Sequence, residues 1–217
     1  MIVALDLDGT LISCEPRQSA VLQAALTRVG HQAEPQEVWR HKRDGLSTER
    51  ALIRCGLAPV AAHAVAEQWR GTIEEPFWLS LDRVLPGVEA ALEAMRAAGA
   101  RLCLLTARSR PEWLPQQLTR LGLAPVLHEM RVVPPETARA DKANQLVALK
   151  VEIFFGDSES DWRAARDAGV PFVAVSSGQR SERFLRDQGI DRVCPGLWEA
   201  WNATPNDRVA GPSRFSM

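Results

Sequence analysis

Two aspartates, Asp6 and Asp8, stand one residue apart where the apolar run "MIVALDL" (1–7) gives way to Gly9 and Thr10. An acidic pair is a costly way to end a buried strand, because carboxylates lose hydration there. Other chemically able groups follow apolar runs in the same manner. Thr106 ends "ARLCLLT" (100–106), Asp157, Ser158 and Asp161 follow "VEIFFG", and Lys142 opens a helical pattern between those two runs. Carboxylates gathered at one place repel one another by something on the order of several kcal/mol, unless some take protons or a cation joins them. Ligands that are oxygen only suit a hard cation, and Mg²⁺ fits because it keeps waters and pairs with phosphate. No His or Cys lies in these motifs, which argues against zinc. A lysine and a threonine supply the charge and the donors that phosphoryl oxygens need. Gly9 and Gly156 let the backbone approach a ligand closely.

Those residues need elements that bring them together. Five β-rich runs (1–7, 100–106, 125–133, 151–157 and 171–177) and a weaker sixth (190–194) alternate with helical patterns at 87–99, 111–122, 140–150 and 160–169. Alternation of this kind predicts a parallel α/β sheet with helices on both faces. Ligands then sit beyond the carboxyl ends of the strands, where the polar groups above fall. Taken singly, each group has an ordinary reading: "DLDGT" as a turn, "GDSESD" as a capped loop, Thr106 as a strand-end hydroxyl, Lys142 as a surface lysine. Their joint position at one sheet edge is what points to a site. From 15 to 81 no strand is evident, and "SAVLQAALTRVG", "STERALIRCG" and "PVAAHAVAEQWRGTIEEPFW" read as amphipathic helices. The organisation expected is a core of 1–14 and 82–201, a helical insertion at 15–81, and a disordered tail at 202–217, which is rich in Pro, Gly, Asn and Ser.

The net charge of −1 gives no reason to expect nucleic acid or an acidic membrane as partner. The one basic cluster, Arg40-His41-Lys42-Arg43, reads first as a solvated helix face. Four scattered cysteines, Cys14, Cys55, Cys103 and Cys194, form no CxxC pattern and suit a reducing compartment. With no signal-peptide pattern and no membrane-length apolar run, a cytoplasmic location is expected.

In combination, "DLDGTL" (6–11), "LLTAR" (104–108), Lys142 and "FFGDSESDWRAARDAGVPFVAV" (154–175) resemble the four motifs of the haloacid dehalogenase-like (HAD-like) hydrolase superfamily. The resemblance covers residues 1–14 and about 82–200. It implies a Rossmann-like sheet with the first strand central and a helical cap inserted after it. It also implies chemistry. Asp6 would be the nucleophile, forming an aspartyl-phosphate. Asp8 would protonate the leaving oxygen and then deprotonate the attacking water, so that Asp6 is ionised while Asp8 can hold a proton. Thr106 and Lys142, with the backbone at Ala107, would hold the phosphoryl oxygens. Asp6, Asp157, Asp161 and the backbone carbonyl of Asp8 would hold Mg²⁺. Dehalogenase members lack the second aspartate, so Asp8 points to phosphoryl transfer. One departure is that Lys142 is not followed by the proline common in capped relatives; Lys150 is a competitor, but it precedes its strand and so stands at the wrong end.

The cap loop "HKRDGLSTER" (41–50) is expected to face substrate, with Arg43, Gly45 and Ser47, joined by Thr10 and Arg108 from the core. A capped site implies a small phosphorylated metabolite; a monomer or homodimer is expected. The leading expectation is a Mg²⁺-dependent phosphatase. A phosphomutase of the β-phosphoglucomutase kind shares the motifs. A phospho-accepting signalling domain is disfavoured, because receiver domains carry an adjacent acidic pair and no such insertion.

Overall fold

The computed structural model describes residues 1–31 and 33–204. Six parallel strands form one sheet in the order β5-β4-β1-β6-β7-β8. They are β1 (Ile2–Leu5), β4 (Arg101–Ala107), β5 (Glu129–Val133), β6 (Ile153–Gly156), β7 (Phe172–Val175) and β8 (Val193–Cys194). β1 lies between β4 and β6, with Leu5 registered against Leu104 on one side and Phe155 on the other. After β5 the chain returns to the far side of β1, so strand order reverses at β1. The crevice beyond its carboxyl end is where open α/β sheets bind ligands.

Strand periodicity sets the two faces. Val3 and Leu5 join Leu102 and Leu104 in a core closed by Val88, Leu92 and Met95 of α6 (Val88–Ala97) and by Trp201 of α11 (Leu197–Asn202). Ala4 points the other way, into a core with Leu105, Phe154, Leu146 of α8 (Ala138–Ala148) and Ala165 of α9 (Glu159–Ala168). Asp6 shares the parity of Ala4 and so falls on the side of α8 and α9. The remaining core helices are α7 (Leu114–Arg120) and α10 (Glu182–Asp187).

Between β1 and β4 lie α1 (Glu15–Arg28), α2 (Pro35–Arg43), α3 (Thr48–Arg54), α4 (Pro59–Thr72) and α5 (Pro76–Leu79). Leu22, Leu26, Val38, Leu52 and Val65 give α1–α4 an apolar core of their own. At the neck of the insertion, β2 (Ile12–Ser13) pairs antiparallel with β3 (Arg83–Val84). These two-residue strands are too short to show a period.

The structure differs from the sequence reading at several boundaries, three of them as follows. The helix read across 59–78 is broken into α4 and α5, because Pro76 offers no N–H and disfavours helix in the residue before it. The strand expected at 125–133 starts at Glu129, after a 3₁₀ turn at Ala124–Val126. The expected tail loses its first residues: Asn202 ends α11, and the buried Thr204 hydroxyl donates to the Ala200 carbonyl at 3.0 Å. The rest of that tail, 205–217, lies outside the described residues.

Candidate active site

Asp6 leaves β1 with its N–H still bonded to the Phe155 carbonyl at 2.9 Å. Its side chain meets Lys142, which α8 directs toward the same face of the sheet. The Lys142 ammonium donates to Asp6 Oδ1 at 2.7 Å and to Asp161 Oδ1 at 2.6 Å. Lys150, by contrast, is exposed just before β6. Asp161 is set by the start of α9: the Ser158 hydroxyl accepts from the Asp161 N–H at 3.2 Å and donates to its Oδ2 at 2.6 Å. Asp157 follows β6 and accepts from the Gln179 N–H at 2.5 Å. Asp6, Asp157 and Asp161 each offer an oxygen, all within 4.8 Å of one another, and all three are buried.

One ammonium does not balance three carboxylates. Burial raises Asp6 to about 7; Lys142 opposes the rise and Asp161 adds to it. Asp157 is raised well above the carboxylate range by burial and by Asp6 and Asp161. Lys142 is raised, because the two carboxylates outweigh the burial that opposes its charge. An all-oxygen, charge-deficient cluster of this kind fits Mg²⁺. Thr106 is buried at the end of β4, two residues beyond the Leu104 that registers with Leu5, and Ala107 follows it. Thr10 Oγ1 and Arg108 Nη2 are buried with no hydrogen-bond partner among the described residues.

Asp8 lies among cations. Its carboxylate is held by Arg17 Nη2 at 2.5 Å and by Arg108 Nη1. Burial favours its neutral form, but Arg108 and then Arg17 outweigh it and bring Asp8 down to about 2. Asp8 is thus held ionised by its partners, while burial raises Asp6. The reason is partner number: Asp8 has two guanidinium groups, while Asp6 shares one ammonium with Asp161. Arg17 also binds Asp82 at 3.1 Å, and Gln117 donates to the other Asp82 oxygen at 2.6 Å.

The insertion sits directly on the core. Arg43 Nη2 donates to the Ser176 carbonyl at 2.6 Å, and Arg180 Nη1 donates to the Lys42 carbonyl at 2.9 Å. Gly45 packs on the Phe184 ring. Glu74 accepts from the N–H groups of Ser109 and Arg110 at 3.2 and 2.7 Å. Of the expected substrate residues, Arg43 and Gly45 thus serve this junction, and the exposed Ser47 caps α3 by accepting from the Arg50 N–H at 3.2 Å. Sequence reasoning missed Arg17, Asp82 and the loop 176–180. That loop carries a Gly-Ser signal, "SSGQR", after a strand. Gly178 packs backbone on backbone against Gly9, whose φ is 86°, and a Cβ at Gly9 would strike the Asp157 carboxylate.

Residues 1–169 match the family model described as haloacid dehalogenase-like hydrolase. The chain belongs to that family. A plasmid-encoded phosphoglycolate phosphatase of Cupriavidus necator is 32% identical, over 90% of this chain and 89% of its own. A phosphoglycolate phosphatase of Pseudomonas fluorescens is 26% identical, over 90% and 76%. A haloacid dehalogenase-like family hydrolase from Streptococcus pneumoniae shares the fold, with a TM-score of 0.75 and 16% identity over 93% of this chain and 96% of its own. This HAD-like hydrolase is a phosphatase: its relatives are phosphatases, and it carries an aspartate at the second position of the first motif. Among the described residues, no helix is long and apolar enough to cross a membrane.

Proposed function

We propose that this phosphatase hydrolyses a small phosphate monoester through an aspartyl-phosphate on Asp6, with Mg²⁺ as cofactor. The observation that carries the reading is the shared ammonium of Lys142, 2.7 Å from Asp6 and 2.6 Å from Asp161, inside a buried three-carboxylate cluster. Asp6, Asp157 and Asp161, with the Asp8 carbonyl, would hold the ion. When bound, Mg²⁺ supplies positive charge against the carboxylates and the phosphoryl oxygens. Asp6, freed of its proton, attacks phosphorus as the ester oxygen departs on the opposite side. Lys142, Thr106 and the backbone at Ala107 hold phosphoryl oxygens. Asp8 is ready as a base for the water that cleaves the aspartyl-phosphate, since its two arginines keep it ionised. Its acid role in the first step needs a proton, and that requires the guanidinium pair to be shared with the substrate.

The helices between β2 and β3 act as a cap. With Arg43, Gly45 and Glu74 fastening it to the core, the closed site suits a compact ester. The printed names of the relatives make 2-phosphoglycolate the first substrate to try. The test is phosphate release from a panel of phosphorylated metabolites with Mg²⁺, and again after chelation. Release from short carboxylated esters, lost with EDTA and restored by Mg²⁺, is the expected result. Isomerisation of a sugar phosphate without free phosphate would replace this reading with a mutase.

A further inference from the structure

A second convergence of metal-ligating side chains lies within the cap helices. Glu37 and His41 stand one helical turn apart on α2, so both project from one face of that helix. Cys55 directly follows α3, at its C-terminal cap. The two helices share an apolar core: Val38 of α2 packs with Ala51 and Leu52 of α3, and Cys55 borders them. One oxygen of Glu37, one ring nitrogen of His41 and Cys55 Sγ consequently lie within 4.8 Å of one another. Nothing else engages them. Among the described residues, none of the three side chains makes a hydrogen bond or an ion pair, and Cys55 is a free thiol. His41 and Cys55 are half-buried, so an ion could reach them from solvent and still be held.

The donor set differs in kind from that of the aspartate cluster. Imidazole nitrogen and thiolate sulfur are ligands that zinc takes, at about 2.0 and 2.3 Å, whereas Mg²⁺ keeps to oxygen. Around a tetrahedral zinc those bond lengths set ligand atoms about 3.3–3.8 Å apart. Side-chain rotation that draws the three together by roughly 1 Å would reach that spacing. Burial, and next Glu37, raise the Cys55 thiol, while Arg40 opposes them. Zinc binding would release the thiol proton to water and offset the Glu37 charge. Three protein ligands leave the fourth position to a water.

We propose that Glu37, His41 and Cys55 form a zinc site that ties α2 to α3. The ion has a structural role, apart from the chemistry at the aspartates. α2 ends in Arg43, and the loop after it holds Gly45; both seat the cap on the core. A clamp between α2 and α3 steadies that docked segment.

The test titrates Co²⁺, and then Zn²⁺, into the full-length protein in excess Mg²⁺ and a phosphine reductant. Wild type is expected to take one equivalent of Co²⁺ with a thiolate-to-cobalt charge-transfer band in the near ultraviolet, which Zn²⁺ then bleaches. Cys55→Ser should lose the band, and His41→Ala should weaken Zn²⁺ binding by about a hundredfold. Zn²⁺ should raise the melting temperature of wild type and leave that of Cys55→Ser in place. A wild type without the band, a band that survives in Cys55→Ser, an affinity unmoved by His41→Ala, or a wild-type melting temperature indifferent to Zn²⁺ would each overturn the proposal. Should Cys55→Ser fail to fold, alkylation of wild type decides. Zn²⁺ should slow iodoacetamide capture at Cys55, mapped by peptide mass, by about tenfold or more, and an unchanged rate refutes the site.

Discussion

Replacing Lys142 with methionine removes the ammonium that Asp6 and Asp161 share. At 2.7 and 2.6 Å, each contact carries a gross attraction of about 6 kcal/mol at an effective dielectric of 20. Desolvation of the buried ammonium offsets much of that, and truncating one partner of a buried pair typically costs about 3–5 kcal/mol. The loss depends on pH in a defined direction. Asp6 already sits at about 7, above its ordinary 3.8, and without Lys142 it rises further. A carboxylate raised in the folded state leaves stability untouched below its unfolded pKa and subtracts from it as pH rises toward its folded one. Lys142→Met should therefore cost less at pH 4 than at pH 8, where about 3–5 kcal/mol is expected. Mg²⁺ should return part of this, about 2.7 kcal/mol at a hundred times its dissociation constant. Urea denaturation at pH 4, 6 and 8, with and without Mg²⁺, measures all of it. A loss that is the same at every pH and indifferent to Mg²⁺ would refute the charge-balance reasoning.

Three further outcomes are expected. Asp6→Asn should abolish phosphate release by about 10³-fold or more, yet leave the melting temperature at pH 8 unchanged or higher, because it relieves a buried like-charge contact; a folded variant with normal turnover would exclude Asp6 as nucleophile. Mg²⁺ binding should displace protons, so its affinity should fall about tenfold per pH unit and per proton as pH drops below the value of about 7 at Asp6. Calorimetry in buffers of different ionisation enthalpy reads the protons released, and a flat profile from pH 6 to 8 would count against this. Gly9→Ala should destabilise by about 1–2 kcal/mol from its left-handed backbone alone. The collision with Asp157 should weaken Mg²⁺ binding as well; an unchanged denaturation midpoint would contradict the close seating of Gly9 on Gly178.

Much of the site was legible because its residues lie in short, continuous segments. Asp6 and Asp8 end a strand, Asp157 and Asp161 flank a helix start, and strand alternation with helices predicts one shared edge. Lys142 could be chosen over Lys150 because it stands at the carboxyl end of the strands. The neck strands β2 and β3 were not legible, since two residues carry no period. Arg17 was missed because nothing within the amphipathic pattern of α1 marks a residue that reaches back to Asp8.

The amino-acid sequence by itself determined the sheet, the helical insertion, and the carboxylates and lysine at the strand ends, because each follows from local pattern and chemistry. Only the tertiary structure decided which partner each charge meets. It gave Asp8 two arginines, while Asp6 shares one lysine with Asp161. It also split one basic cluster by side-chain direction, docking Arg43 on the core carbonyls and burying Lys42 without a counter-ion. Charge balance in a poorly hydrated site is set by neighbours far apart in the chain, and those neighbours exist only once the insertion has folded onto the sheet.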